Sequence, residues 1–201
     1  MKRSAIFVLG RPGSGKSTVS RLVCSELYRQ GFPHSLSILS DYRILYRWSR
    51  SAERTAAFDR TPSDSFRVTN KEVLDDALKA LAAQALARPQ VMPIVEFARA
   101  SYVEAFANFP RGFVHNSLIV YVNASPDLCR LRNTAQESAR ITYDSGFVPD
   151  DVMRGYYLND DLPALQRRSG GCIEISNETE SGKDMLTQVR EAVIPLVVGQ
   201  D

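Results

Sequence analysis

The chain has 201 residues, 44% of them hydrophobic and 24% charged, with a formal net charge of +2; this suits one well-buried α/β domain, is short for two, and is too weakly basic for charge alone to argue for nucleic acid. Cys24, Cys129 and Cys172 are odd in number, form no C-x-x-C pair and sit in apolar segments, which fits reduced core thiols, while His34 and His115 are too few and too isolated for a metal site. No apolar stretch reaches the length of a membrane span and the amino terminus enters the first strand at once, so a cytoplasmic protein is expected.

The first element is the apolar run Ile6-Phe7-Val8-Leu9, which reads as a short buried strand. It feeds Gly10, Arg11, Pro12, Gly13, Ser14, Gly15, Lys16, Ser17 and Thr18, a stretch that fills the pattern G-x-x-x-x-G-K-[ST]. Val19, Leu22, Val23 and Leu27 then recur at helical spacing, so the glycine loop joins a strand to a helix N-terminus. Glycine lets successive N–H groups turn toward one centre, and the helix adds its unpaired amide donors and the positive end of its dipole. Such a nest binds polyphosphate. The whole stretch from Gly10 to Thr18 is therefore the expected ATP cradle, with Lys16 reaching the β- and γ-phosphates, Ser17 ligating Mg2+ and Thr18 meeting the α-phosphate.

The alternating Ser35–Leu39 reads as a second strand, ending at Ser40-Asp41. Residues 50–67 are polar and only weakly periodic, an excursion over the active face. Thr69-Asn-Lys-Glu72 has the spacing of a capping box, and Leu74, Ala77, Leu78, Leu81 and Ala85 follow at helical spacing. A third strand is expected through Val91–Val95, with Pro93 speaking against its first half. Ser101-Tyr-Val-Glu104 is a second capping box, Leu118–Val122 a fourth strand, and Ser125-Pro126 the start of the next helix. Cys172–Ile175 gives a fifth strand, and Met185, Val189, Ala192, Val193 and Leu196 line one face of a closing helix. Strands separated by helices of this length predict a three-layer α/β sandwich around a five-stranded parallel sheet, with ligands at the carboxyl ends of the strands.

From the phosphate loop and this element order, the chain resembles the small P-loop kinases, among them adenylate, shikimate and gluconate kinases. The resemblance spans nearly the whole chain in element order, and its sharp motif is the phosphate loop. It implies the nucleoside- and nucleotide-kinase fold over 1–201, an acceptor-binding excursion at 41–70 after strand two, and an arginine-bearing lid at 130–148. It also places an acidic residue where "PIVEFARASY" has Glu96, either to hold magnesium or to take the acceptor's proton, with Arg99 following to grip the acceptor. Many members have Asp where this chain has Glu, which leaves both roles open. Arg130, Arg132 and Arg140 supply the lid; Arg130 and Arg132 lie two apart on a helix, so one of them is expected to serve. Asn177 sits where related kinases contact the adenine.

Each of these residues also has a plainer explanation: Glu96 with Arg99 as a surface ion pair, the lid arginines as solvated helix residues, Asp41 as an N-cap. Asp41 equally fits acceptor-hydroxyl binding or base catalysis. Tyr42, Arg43, Tyr46, Arg47 and Trp48 fit a stacking platform for a planar substrate, and Tyr46 and Trp48 equally fit the core. The expected activity is ATP- and magnesium-dependent phosphoryl transfer to a small acceptor such as a nucleoside, nucleotide or polar metabolite. Two further readings stand beside it: a nucleotide-dependent regulatory ATPase, and a kinase acting on a nucleic-acid group through the arginines between Arg43 and Arg67.

Overall fold

The computed structural model describes residues 3–61, 65–138, 147–158, 161–168, 172–178 and 182–199. In chain order the elements are β1 (Ile6–Leu9), α1 (Lys16–Arg29), β2 (Ser35–Ser40), α2 (Asp41–Trp48), β3 (Phe58–Arg60), β4 (Phe66–Val68), α3 (Glu72–Leu86), β5 (Val91–Phe97) and α4 (Tyr102–Ala105). There follow α5 (Arg111–His115), β6 (Leu118–Asn123), α6 (Pro126–Ser138), α7 (Asp150–Tyr156), α8 (Leu162–Arg168), β7 (Cys172–Ser176), α9 (Gly182–Gln188) and α10 (Ile194–Val198). Five strands form a parallel sheet in the order β2-β5-β1-β6-β7, with β1 at its centre. The expected α/β architecture is present.

Side-chain alternation divides the core between the two faces of this sheet. Ile6, Val8, Ile94, Val120 and Val122 meet Val19, Val23 and Leu27 of α1 and the closing helical segment. Phe7, Leu9, Val95, Phe97, Ile119 and Tyr121 meet α2, α3 and α4. Phe7 carries much of the second face: Phe97, Phe106, Phe109 and Phe113 all approach it edge-on, at centroid distances of 5.0 to 6.2 Å. On the first face the buried carboxylate of Glu26 ties α1 to the closing helix. It accepts from Arg190 at 2.9 Å and from Arg29 at 2.8 Å, and these guanidiniums, Arg190 foremost, hold its pKa down at about 2.

Four expectations change. The strand that contains Pro93 is continuous, because β1 begins opposite Ile94 and Pro93 pairs only with Ser37 of β2. Its missing N–H therefore costs no bond to β1. The capping box at 69–72 becomes a cap by Asn70, whose Oδ1 accepts from Glu72 N at 2.9 Å. The polar excursion contains the antiparallel hairpin β3-β4, whose three-residue strands are too short to announce themselves by periodicity. The closing helix contains a π-helical segment, Val189–Val193, just before Pro195. Proline cannot donate into the helix, and the wider turn accommodates it. The extra residue shifts the phase of the last turn, so Ile194 and Val197 are buried and Leu196, expected inside, is 40% exposed.

Phe7→Ala is expected to lower the unfolding free energy in urea by about 3–5 kcal/mol, the usual cost of a fully buried aromatic cavity. Leu131→Ala, at a side chain 67% exposed, is expected to stay within about 0.5 kcal/mol of wild type.

Candidate active site

The glycine loop follows β1, so the central strand aims it at the carboxyl edge of the sheet, between β5 and β6. Two of its glycines have no alternative. Gly13 has φ of 78°, and a Cβ there would lie 2.3 Å from the Cys129 carbonyl oxygen of α6. At Gly10, with φ of 142°, a Cβ would lie 2.5 Å from the Val122 carbonyl oxygen. The loop thus rests directly on the backbones of β6 and α6, a close approach open only to glycine. Gly10 N donates to the buried hydroxyl of Tyr102 at 3.0 Å, and the Asn177 amide donates to Ser14 O at 2.7 Å. The residues at the centre of this curve fit a bound polyphosphate: the backbone is held from behind and its N–H groups converge from the start of α1.

Lys16 lies partly buried against the loop, with Nζ donating to Arg11 O at 2.8 Å. Burial lowers its pKa, and the neighbouring carboxylates of Glu96 and Asp41 oppose that shift. By the alternation that sends Ile94 toward α1, Glu96 points to the same face. It is 4% exposed, and its Oε2 accepts from the Ser17 hydroxyl at 2.8 Å. The surface ion pair that would be the plainer explanation for Glu96 and Arg99 is absent from this arrangement. An adjacent hydroxyl and carboxylate are the hard oxygen donors that Mg2+ takes, so this pair fits the ion that accompanies ATP.

Arg99 turns instead to Asp41. Its Nη1 donates to Asp41 Oδ2 at 2.5 Å and to Ala98 O at 2.7 Å, while Nη2 donates to Leu74 O at 2.8 Å. Ser40 occupies the N-cap position of α2, so Asp41 is not the cap and its carboxylate is committed to a pair in which both residues are about 95% buried. The pair and the phosphate loop line one cleft of about 720 Å3. Its far wall is made by Phe66 and Val68 of the hairpin, Leu74 of α3, and the segment Phe147–Pro149.

The arginines expected to form a lid are placed differently from one another. Arg130 Nε donates to Asp150 Oδ1 at 2.7 Å, with Asp127 as a second partner, so its guanidinium fastens α6 to α7. Arg132 Nη1 donates to Asn177 O at 3.0 Å. Asn177 therefore joins Arg132 to the phosphate loop. Arg140 lies outside the described residues. Tyr46 and Trp48 pack against the core under their own arginines, with the Arg50 guanidinium 3.7 Å from the Tyr46 ring and Arg54 4.1 Å from the Trp48 ring.

Sequence reasoning missed several residues that shape the site. Asn133, 1% exposed, grips the Val148 backbone with both ends of its amide, at 2.5 and 3.0 Å. Ser65 donates to Phe147 O at 2.8 Å, joining the hairpin to the same segment. Arg11 Nε donates to Tyr157 O at 2.9 Å, and Asp161 accepts from Ser101 Oγ and from Tyr102 N and Val103 N at the start of α4. Tyr156 and Tyr157 line the cleft, and burial raises both phenol pKa values. None of these contacts has a local signature; only the capping box at Ser101, whose Oγ accepts from Glu104 N at 3.2 Å, marks this region in the sequence. Tyr102→Phe is expected to strand the Gly10 N–H, costing about 1–3 kcal/mol in thermal or urea unfolding and weakening Mg-ATP binding in calorimetry.

The AAA domain family matches residues 6–156. No curated protein matches the chain. Among solved structures, a sugar kinase from Janibacter is similar with a TM-score of 0.61 at 16% identity, covering 98% of each chain. Kti12 from Chaetomium thermophilum, solved with ADP-AlF3, gives 0.56 at 16% identity, covering 92% of this chain and 94% of its own. Shikimate kinase from Acinetobacter baumannii, solved with shikimate, gives 0.55 at 14% identity, covering 99% of this chain and 94% of its own. At these identities the structures show a common fold, and together with the family match over well over half of its length they establish that the chain belongs to the AAA domain family and has the fold of the small P-loop kinases.

Proposed function

We propose that the chain is a magnesium-dependent phosphotransferase that moves the γ-phosphoryl group of ATP to a hydroxyl of a small acceptor. The observation that carries this reading is the single cleft with two chemically distinct ends: Lys16, Ser17 and Glu96 at the phosphate loop, and the buried Asp41–Arg99 pair beyond it. The three free cysteines support a reducing, cytoplasmic setting for such an enzyme.

Phosphoryl transfer asks the protein to align two oxygens with phosphorus and to neutralise charge. Lys16 and the loop amides hold the β- and γ-phosphates, and Thr18 stands at the α-phosphate end. Ser17 and Glu96 would hold Mg2+, which when bound neutralises the charge that develops on the transferring group. Because its Oε2 is taken by Ser17, Glu96 is the metal-side carboxylate. Asp41 is the acceptor-side carboxylate: the new bond joins the acceptor oxygen to the γ-phosphorus, the bond from that phosphorus to the β–γ bridging oxygen breaks, ADP leaves, and the acceptor's proton passes to Asp41. Arg99 fixes the Asp41 carboxylate in place through that step. Arg132 acts through Asn177 on the loop, and Arg140 belongs to the lid of this proposal.

Two measurements test it. Lys16→Ala is expected to lose Mg-ATP binding in calorimetry while its melting curve stays within a few degrees of wild type; unchanged binding ends the reading. Among acceptor-dependent kinetics, Glu96→Gln is expected to reduce kcat by about 100-fold or more with ATP affinity largely kept. Asp41→Asn is expected to act on acceptor turnover and to spare acceptor-free ATP hydrolysis. Hydrolysis that no acceptor accelerates, combined with nucleotide-dependent capture of another protein, would assign a regulatory ATPase instead.

A further inference from the structure

The acceptor end of the cleft has a composition of its own. Beyond the Asp41–Arg99 pair its walls are Leu45, Phe66, Val68, Leu74, Val152 and Tyr156, drawn from α2, the hairpin, α3 and α7. Phe66 lies stacked on Tyr42, with centroids 5.5 Å apart and planes 23° from parallel, so the hairpin adds a packed aromatic side chain to the wall of the cleft. These walls are fixed to one another: Ser65 holds Phe147, Asn133 holds Val148, and Arg99 holds the Leu74 carbonyl. Once one hydroxyl has met the remaining oxygen of Asp41, the further hydroxyls of a polyhydroxylated acceptor would face these carbon walls without a partner.

Charge is distributed just as unevenly. Among the described residues, six cationic side chains and two carboxylates line the cleft. Lys16 and Arg99 belong to its two reactive ends, and both carboxylates, Glu96 and Asp41, are engaged there. The remaining cations include Arg43, Arg67 and Lys71 at the acceptor end. Arg67 shares Asp151 at 2.8 Å, and Lys71 is exposed, with no carboxylate among the described residues paired to it. An apolar slot with a basic rim recognises a molecule of matching polarity.

We infer that the acceptor is an amphipathic anion: a small molecule with an apolar or planar body seated between the hairpin and α7, a hydroxyl presented to Asp41, and a carboxylate or phosphate at the rim by Lys71. That the ligand is a phosphate acceptor rests on the function proposed above; the class of ligand rests on the walls and rim alone.

The test uses the full chain with saturating Mg-AMP-PNP to occupy the nucleotide end, and a matched pair of fluorescent probes. Anilinonaphthalene sulfonate has an apolar body and an anion, and phenylnaphthylamine has the same body without the charge. The sulfonate is expected to bind with one-to-one stoichiometry and at least tenfold more tightly than the neutral amine. Lys71→Glu is expected to weaken it about tenfold, and Val152→Asp to abolish binding of both probes, with melting curves showing that each variant is folded. Displacement by phenyl phosphate before benzoate assigns a phosphate at the rim, and the reverse order assigns a carboxylate. Equal affinity for the two probes, indifference of the sulfonate to Lys71→Glu, absence of any binding, or displacement by millimolar glucose or gluconate overturns the inference. Failure of Mg-ATP to bind in a separate titration sinks the phosphotransferase reading and leaves the probe result to stand or fall by itself.

Discussion

The phosphate loop lies so close to its neighbours that two of them touch it backbone to backbone. Val122 at the end of β6 and Cys129 in α6 each place a carbonyl oxygen where a Cβ on Gly10 or Gly13 would have to go. Any side chain at those positions would push the loop out toward the ligand or push β6 and α6 away from the sheet. Everything else at the site is arranged around that contact: Tyr102 takes the Gly10 N–H from one side, Asn177 takes the Ser14 carbonyl from the other, and the start of α1 is aimed by both. The loop is held by backbone packing, and its inner surface is left for phosphate.

Two polar pairs, one buried and one partly so, then divide the cleft. Ser17–Glu96 lies on the α1 side of β5 and Arg99–Asp41 at the end of β2, and neither exchanges a hydrogen bond with the other. Separation of this kind gives each carboxylate a polar partner of its own. A buried arginine is costly unless its donors are met, and here two nitrogens meet Asp41, Ala98 and Leu74. The pair therefore binds α2, β5 and α3 together.

The far wall of the cleft is assembled from parts that are far apart in the chain. Ser65 and Phe147 are 82 residues apart, and Asn133 and Val148 are 15 apart. Arg11 in the phosphate loop reaches the backbone of residues 157 and 158. Such links tie residues 147 and 148 to the hairpin and to α6, and the phosphate loop to the residues that follow α7.

The sequence alone determined the phosphate loop, because its glycines, lysine and serine occupy consecutive positions and its flanks have strand and helix periods. It determined the five sheet strands for the same reason: each is a short local run, apolar throughout or alternating. It placed Asp41, Glu96 and Arg99 at strand ends, but could not say which would pair, since pairing depends on the face each side chain takes and on the order of strands in the sheet. Glu96 points to Ser17 and Arg99 to Asp41 only once β5 lies between β2 and β1. Tertiary structure alone decided that Arg130 fastens two helices, that Asn177 supports the loop, and that Asn133 and Ser65 hold the cleft wall. It also decided that a π turn before Pro195 exposes Leu196. Hydrophobic period is written in neighbouring residues, whereas a single polar side chain meets whatever the fold brings to it.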